Sequence, residues 1–235
     1  MMDLAGWRPT TLIDFPGRVA ATLFTSGCNF RCPFCHNPEL VLQERAVGLP
    51  VLDEQEILRE LNRRHGFLDG VVLTGGEPTL QTGLVSFVER LKALGFLVKL
   101  DTNGSTPDVV RALVEKRLVD YVAVDIKAPP GRYREFAGID APIAEIERTV
   151  TILKREAVDH EFRTTVSPGL ARRDIEAIAD WIGTARRYFL QRFRVPQEKT
   201  LLDPSWALRD GLGEEALREV WSAIAGRFED GGVRS

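Results

Sequence analysis

The sequence predicts an α/β domain built on a parallel sheet, and two observations carry that prediction. Short apolar runs rich in β-branched residues alternate with stretches whose apolar residues recur at helical spacing. Strands separated in this way by helices pair in parallel through right-handed crossovers. The polar signatures fall directly after successive strands, as they do where strand C-terminal ends build a site. Periodicity leaves an open doubly wound sheet and a barrel as alternatives, although no glycine-rich dinucleotide fingerprint opens the first helix.

In chain order, Val19–Phe24 reads as the first strand and Glu54–Arg64 as a helix with Ile57, Leu58 and Leu61 on one face. Val71–Leu73 is a short strand, followed by a helix carrying Leu84, Val88 and Leu91. Phe96–Leu100 is the third strand, and Val109, Val110, Leu113 and Val114 mark the next helix. Tyr121–Ile126 is a strong strand signal. A helix with Ile143, Ile146, Val150 and Leu153 leads to strand Phe162–Val166. Ile175, Ile178, Ala179 and Ile182 line another helix, and Phe189–Val195 closes the series. Leu217, Val220, Trp221, Ile224 and Phe228 read as a last amphipathic helix packed on the domain. No linker separates two cores, so residues 1–235 read as one domain, with a core over about 17–196 and a C-terminal extension over about 197–235.

With 44% apolar and 28% charged residues, the composition is that of a soluble globular protein. No apolar run approaches the roughly 20 residues that cross a bilayer, and the first residues lack signal-peptide features. A cytoplasmic protein with no membrane partner is the expectation. A net charge of −3 with no long basic block argues against a nucleic-acid partner. All three cysteines lie between Cys28 and Cys35, a poor disulfide framework that points to a reducing compartment and to a metal or catalysis.

The cysteine segment, Ser26-Gly27-Cys28-Asn29-Phe30-Arg31-Cys32-Pro33-Phe34-Cys35-His36-Asn37, follows the first strand. A 4Fe–4S cluster usually takes four thiolates, so three would leave one iron open to bind a substrate. A closed Cys3His zinc site with His36 is the metal alternative, made awkward by the adjacency of Cys35 and His36. Three inert buried thiols are the bland one.

Thr74-Gly75-Gly76-Glu77-Pro78 follows the second strand. Its glycines permit close backbone approach, and Glu77 can accept hydrogen bonds from an ammonium group. Alone it would read as a turn before a helix. Asp101-Thr102-Asn103-Gly104 follows the third strand, and Asp125-Ile126-Lys127 ends the fourth. A capped turn and a solvated strand end are their plain readings. Yet both sit at one mouth of a parallel sheet. Two carboxylates about 4 Å apart repel by roughly 1 kcal/mol in water and more near a low-dielectric surface. A cation between them would turn that cost into binding. Arg163 lies in the fifth strand, where an exposed arginine is the plain alternative.

These motifs, in this order, resemble the radical S-adenosylmethionine enzymes. The resemblance implies that Cys28, Cys32 and Cys35 hold a 4Fe–4S cluster whose open iron chelates S-adenosylmethionine. It places Phe34 near the adenine and gives Gly75, Gly76 and Glu77 the amino group. The implied fold is a partial (β/α)6 barrel, open on one side, with a C-terminal helix. Asp-Thr-Asn-Gly and Asp-x-Lys elements are similar to those of activating enzymes of glycyl radical proteins. That likeness implies Asp101, Thr102 and Asp125 as ligands of a monovalent cation and Arg163 as a cofactor contact. A histidine contact known in that group has no counterpart in Leu190-Gln191-Arg192-Phe193.

Leu12-Ile13-Asp14-Phe15-Pro16-Gly17-Arg18, with Cys28–Leu40, resembles anaerobic ribonucleoside-triphosphate reductase activating proteins, and the likeness runs from about Trp7 to Val195. It implies hydrogen abstraction from a backbone glycine of a partner enzyme, with no catalytic residue beyond cluster and cofactor. A low-potential electron donor such as flavodoxin or ferredoxin is implied too. With three cysteines in all, the chain has no eight-cysteine ferredoxin-like insert. Other readings are an activase of pyruvate formate-lyase or another glycyl radical enzyme, a radical enzyme acting on a small molecule, or a non-catalytic metal-binding module. Glu77 and the paired aspartates argue against the last, since a structural metal site needs none of them.

Overall fold

The computed structural model describes residues 1–42, 52–196 and 200–234. Its frame is one eight-stranded sheet in sequential order. β1 (Leu4–Thr11) runs antiparallel to β2 (Ala20–Thr25). From β2 onward every pairing is parallel: β3 (Gly70–Gly75), β4 (Leu97–Thr102), β5 (Tyr121–Asp125), β6 (Asp159–Val166), β7 (Ala185–Arg192) and β8 (Phe228–Arg234). The first and last strands do not pair with each other, so the sheet stays open. It is curved: Tyr121 on β5 shares a small inner cluster with Ala20 on β2, although two strands lie between them. This is the partial barrel that the family resemblance implies.

The helices are α1 (Pro38–Val41), α2 (Glu54–Arg63), α3 (Leu84–Ala93), α4 (Pro107–Glu115), α5 (Tyr133–Ala137), α6 (Ile143–Arg155), α7 (Arg172–Ile182) and α8 (Glu214–Ile224). Their apolar stripes meet the sheet's outer face in one large core that includes Leu61, Leu91, Leu113, Leu153, Ile178 and Leu217. Local signals set their starts. The Asp53 side chain accepts from the Glu56 amide at 2.8 Å to cap α2, and Pro107 opens α4 where its missing N–H costs nothing.

The six expected strands are present, with ends displaced by a few residues; the last runs over Ala185–Arg192 rather than 189–195. Two strands were not expected. β1 contains Gly6 and Pro9, which an edge strand tolerates. β8 corrects the expectation for Phe228: α8 stops at Ile224, and Phe228 begins a strand. A side chain at Gly231 would meet the Tyr188 carbonyl at 2.1 Å and the Trp221 ring at 2.4 Å. The glycine that makes this segment look like a turn is what lets it join β7.

Candidate active site

The cysteine loop leaves the C-terminal end of β2 and is held by three neighbours. From β3, the Gly76 amide donates to the Thr25 carbonyl and the Glu77 amide to the Gly27 carbonyl, both at 2.8 Å. The approach is so close that a Cβ on Gly76 would lie 2.0 Å from the Gly27 oxygen. From β4, the Asn103 side chain donates to Asn29 at 2.8 Å, and Asn29 donates to Ser105 at 2.9 Å. From α5, the Ala137 carbonyl accepts from the Arg31 amide at 2.8 Å.

The segment after β7 covers the loop's far side. The Asp203 amide donates to the Pro33 carbonyl at 2.9 Å, and the Trp206 ring lies 5.7 Å from that of Phe34. Phe34 is thus fixed between Trp206 and Phe136 while still bordering the cavity below.

That cavity, about 210 Å³, is bordered by Cys28, Cys32, Cys35, Phe34, Gly75, Gly76, Glu77, Asp101, Thr102 and Asp125. The structure therefore brings together every site residue expected from the sequence except Arg163, which stands behind the two aspartates. A larger cavity of about 710 Å³ adjoins it, sharing His36, Asn37, Thr74 and Asp101 and reaching the inner faces of β1 and β2.

The three cysteines are thiols rather than disulfides. Burial pushes Cys28 up to about 11 and Cys32 up to about 12, so neither ionises readily without a cation to hold it. The donor set suits an iron–sulfur cluster. Each thiolate then takes a separate iron, and the sulfurs need not meet at one point. A zinc ion would need four donors within about 2.0–2.3 Å of itself. Among the described residues no three His, Cys, Asp or Glu side chains are grouped to hold a single ion. His36 is engaged elsewhere: its ring lies 5.4 Å from that of Phe193 and bonds the backbone of Arg194. Burial pulls its imidazole below the ordinary value of 6.5.

Glu77 is only 1% exposed. Its Oε1 accepts from the Thr79 amide at 3.1 Å, the Thr79 hydroxyl at 2.5 Å and the Thr102 hydroxyl at 2.7 Å. Its Oε2 accepts from the Asn103 amide at 2.7 Å. Burial raises its carboxyl, and these bonds oppose the rise. One Oε2 lone pair remains for a ligand, since a carboxylate oxygen accepts more than one bond.

Asp101 and Asp125 are joined through Arg163. Its Nη1 lies 3.2 Å from Asp101 Oδ2 and its Nε 2.9 Å from Asp125 Oδ1. Lys99 pairs with Asp101, and Lys127 Nζ lies 3.2 Å from Asp125 Oδ2. Burial alone would raise the Asp125 carboxyl, but Arg163 and Lys127 outweigh it and hold it far below the ordinary range. The Thr102 hydroxyl donates to Glu77 and accepts from the Gly104 amide at 3.1 Å.

Sequence reasoning missed Thr79 and Lys99 as parts of this site, and it singled out Asn103 and Lys127 only within their motifs, without a role for either side chain. Lys99 was findable, since it precedes Asp101 by two residues on one strand and so shares its face. Trp206 carried no signal at all.

Known proteins resemble the chain in sequence and in fold. A protein of Methanocaldococcus jannaschii named "Putative glycyl-radical enzyme activating enzyme MJ1227" is 35% identical over 233 residues, 97% of this chain and 93% of its own. The 7-carboxy-7-deazaguanine synthase of Methanopyrus kandleri is 33% identical over 190 residues, 70% of this chain and 73% of its own. The crystal structure of Streptococcus suis SuiB bound to precursor peptide SuiA superposes with a TM-score of 0.66 at 12% identity, a likeness of fold. It covers 90% of this chain, which spans about half the length of that protein (48%). The family model "Radical SAM superfamily" matches residues 22–182, and this chain, an enzyme, belongs to that superfamily.

Proposed function

We propose that the chain is a glycyl radical enzyme activase whose Cys28, Cys32 and Cys35 hold a 4Fe–4S cluster beside S-adenosylmethionine. When bound and reduced, the cluster supplies the electron that cleaves S-adenosylmethionine to methionine and a 5′-deoxyadenosyl radical, the species that takes hydrogen from a backbone glycine. The chain's own residues bind and orient. Gly75 and Gly76 bring the backbone of β3 against the cysteine loop. Glu77, already fixed by four hydrogen bonds, offers its free lone pair to the cofactor's amino group. Phe34 borders the adenine side. The observation that carries this reading is the single cavity shared by the three thiols, Glu77 and the paired aspartates.

On this reading the charge that joins Asp101 and Asp125 is the Arg163 guanidinium. A monovalent cation held by Asp101, Thr102 and Asp125 is the competing arrangement, and the engagement of the Thr102 hydroxyl with Glu77 and Gly104 speaks against it. A protein substrate is favoured by the relative that matches nearly the whole chain. The anaerobic ribonucleoside-triphosphate reductase is the partner favoured by the Leu12–Arg18 segment, with a flavodoxin or ferredoxin as electron donor.

The test is anaerobic incubation of the reconstituted, reduced protein with candidate glycyl radical enzymes and S-adenosylmethionine. A glycine-centred doublet in the electron paramagnetic resonance spectrum of the partner is the expected result. Turnover of a purine-like small molecule with no protein radical would favour the second reading, for which the 7-carboxy-7-deazaguanine synthase relative and the adjoining 710 Å³ cavity speak.

A further inference from the structure

The inner face of the sheet holds a second charged group just below the aspartates. Glu161 is 1% exposed and precedes Arg163 by two residues on β6, so both side chains share the inner face. Arg234 on β8 grips Glu161 at two points, Nη1 to Oε1 at 2.9 Å and Nη2 to Oε2 at 2.7 Å. The Tyr121 hydroxyl donates to Oε2 at 2.9 Å. The Arg234 guanidinium is itself set 3.4 Å above the Phe189 ring. Arg163 stands 3.9 Å from Glu161 Oε1, close enough to be drawn in but beyond a hydrogen bond.

Arg163 therefore has carboxylates on two sides. It bonds Asp101 and Asp125 because Glu161 is already satisfied. Take Arg234 away, and Glu161 becomes a buried carboxylate with one hydroxyl and a nearby guanidinium. A buried charge left without its partner is costly, and the cheapest relief is a shift of Arg163 toward it. The longer of its two bonds, at 3.2 Å to Asp101, gives way first. Asp101 and Asp125 then border the cavity with no common donor fixing their spacing.

We propose that Arg234 is a positioning residue for the cofactor site: by satisfying Glu161 from β8, it reserves Arg163 for Asp101 and Asp125. This rests on the reading of the cavity as the S-adenosylmethionine site. Lysine is a poor substitute, because only the planar guanidinium meets both carboxylate oxygens at once.

The test compares cluster-loaded wild type, Arg234→Met, Arg234→Lys, Glu161→Gln and the double variant Arg234→Met/Glu161→Gln. Iron content, unfolding midpoint and equilibrium affinity for S-adenosylmethionine are read for each. Arg234→Met is expected to keep its irons and lose affinity by about tenfold or more, and Arg234→Lys to lose part of that. The double variant should return to within about threefold of wild type, because the unpaired carboxylate is gone. A merely structural role would lower the midpoint without that recovery of affinity. If Arg234→Met fails to fold, Arg234→Lys with and without Glu161→Gln decides by the same comparison. Wild-type affinity in the arginine variants, or a double variant no better than the single, would overturn the proposal and leave the cofactor site standing. Failure of wild type to bind S-adenosylmethionine would overturn both.

Discussion

Asp125 and Arg163 are register partners across β5 and β6, and the guanidinium Nε of Arg163 lies 2.9 Å from Asp125 Oδ1. Because the same guanidinium reaches Asp101 on β4, one side chain of β6 ties the ends of β4 and β5 together at the mouth of the barrel. Arg163 is 12% exposed and Asp125 26%, so the pair is partly buried, and removing one member costs less than the roughly 3–5 kcal/mol typical of a fully buried pair. Arg163→Met is therefore expected to lower the unfolding free energy by less than that amount and to weaken S-adenosylmethionine binding. The variant should also regain affinity in sodium or potassium relative to a bulky organic cation, since an ion can then enter between the aspartates. Titrations in matched ionic strength check this. Equal cation sensitivity in wild type and variant would favour the resident monovalent cation instead.

Glu77 separates structural from binding roles by the choice of substitution. Glu77→Ala orphans the Thr79 and Asn103 amides, and each buried unsatisfied donor costs about 1–3 kcal/mol. Glu77→Gln keeps the three bonds made by Oε1, removes the charge and sets its amide nitrogen against the Asn103 amide, so it leaves one buried backbone donor unsatisfied where Glu77→Ala leaves two. It should stay folded and keep its irons while losing roughly tenfold in S-adenosylmethionine affinity. Calorimetry on both variants, with melting curves, reads the two effects apart.

Gly76→Ala should damage the cysteine loop without touching a thiol. The added Cβ would lie 2.0 Å from the Gly27 oxygen, a backbone atom with no rotamer to escape into. The expected result is a lower melting temperature of the metal-free protein and fewer irons after reconstitution, compared with Gly213→Ala, where an added Cβ meets nothing within 4 Å.

Acid stability should depend on Glu161. Burial would raise its carboxyl, but Arg234 and Arg163 hold it below its ordinary value of 4.5. A carboxylate whose folded value is depressed stabilises fully above that ordinary value, and the contribution is lost as pH falls through the folded one. Glu161→Gln should thus be less stable than wild type at pH 7, and the gap should narrow as pH drops below about 4.5. Urea melts across that range measure it.

Much of this was legible in the sequence, and the rest was hidden for identifiable reasons. The parallel strands showed because their residues are apolar on both faces, as in Val71–Leu73 and Val122–Val124. The cysteines showed because all three fall in one short loop after a strand, and Glu77 because its Gly-Gly-Glu-Pro turn follows that loop in the order the family resemblance implies. β1 and β8 were hidden because Pro9, Gly231 and Gly232 mimic turns, and only edge position or a neighbour's ring permits them to be strands. Glu161 and Arg234 stood out in no way in the sequence, because pairing between residues 73 positions apart leaves no local trace. The hydrogen bonds that hold Glu77 were hidden for the same reason, since Asn103 reaches it from the next strand.

The most direct test of the central claim is reductive cleavage by the anaerobically reconstituted protein, with iron content and released methionine measured together. About four irons per chain, with methionine and 5′-deoxyadenosine appearing in equal amounts only after reduction, is the expected result. Cys28→Ala, Cys32→Ala and Cys35→Ala should each abolish both, whereas His36→Ala should keep the cluster. Stoichiometric zinc in place of iron, with no cleavage and with the metal lost in His36→Ala, would contradict the account.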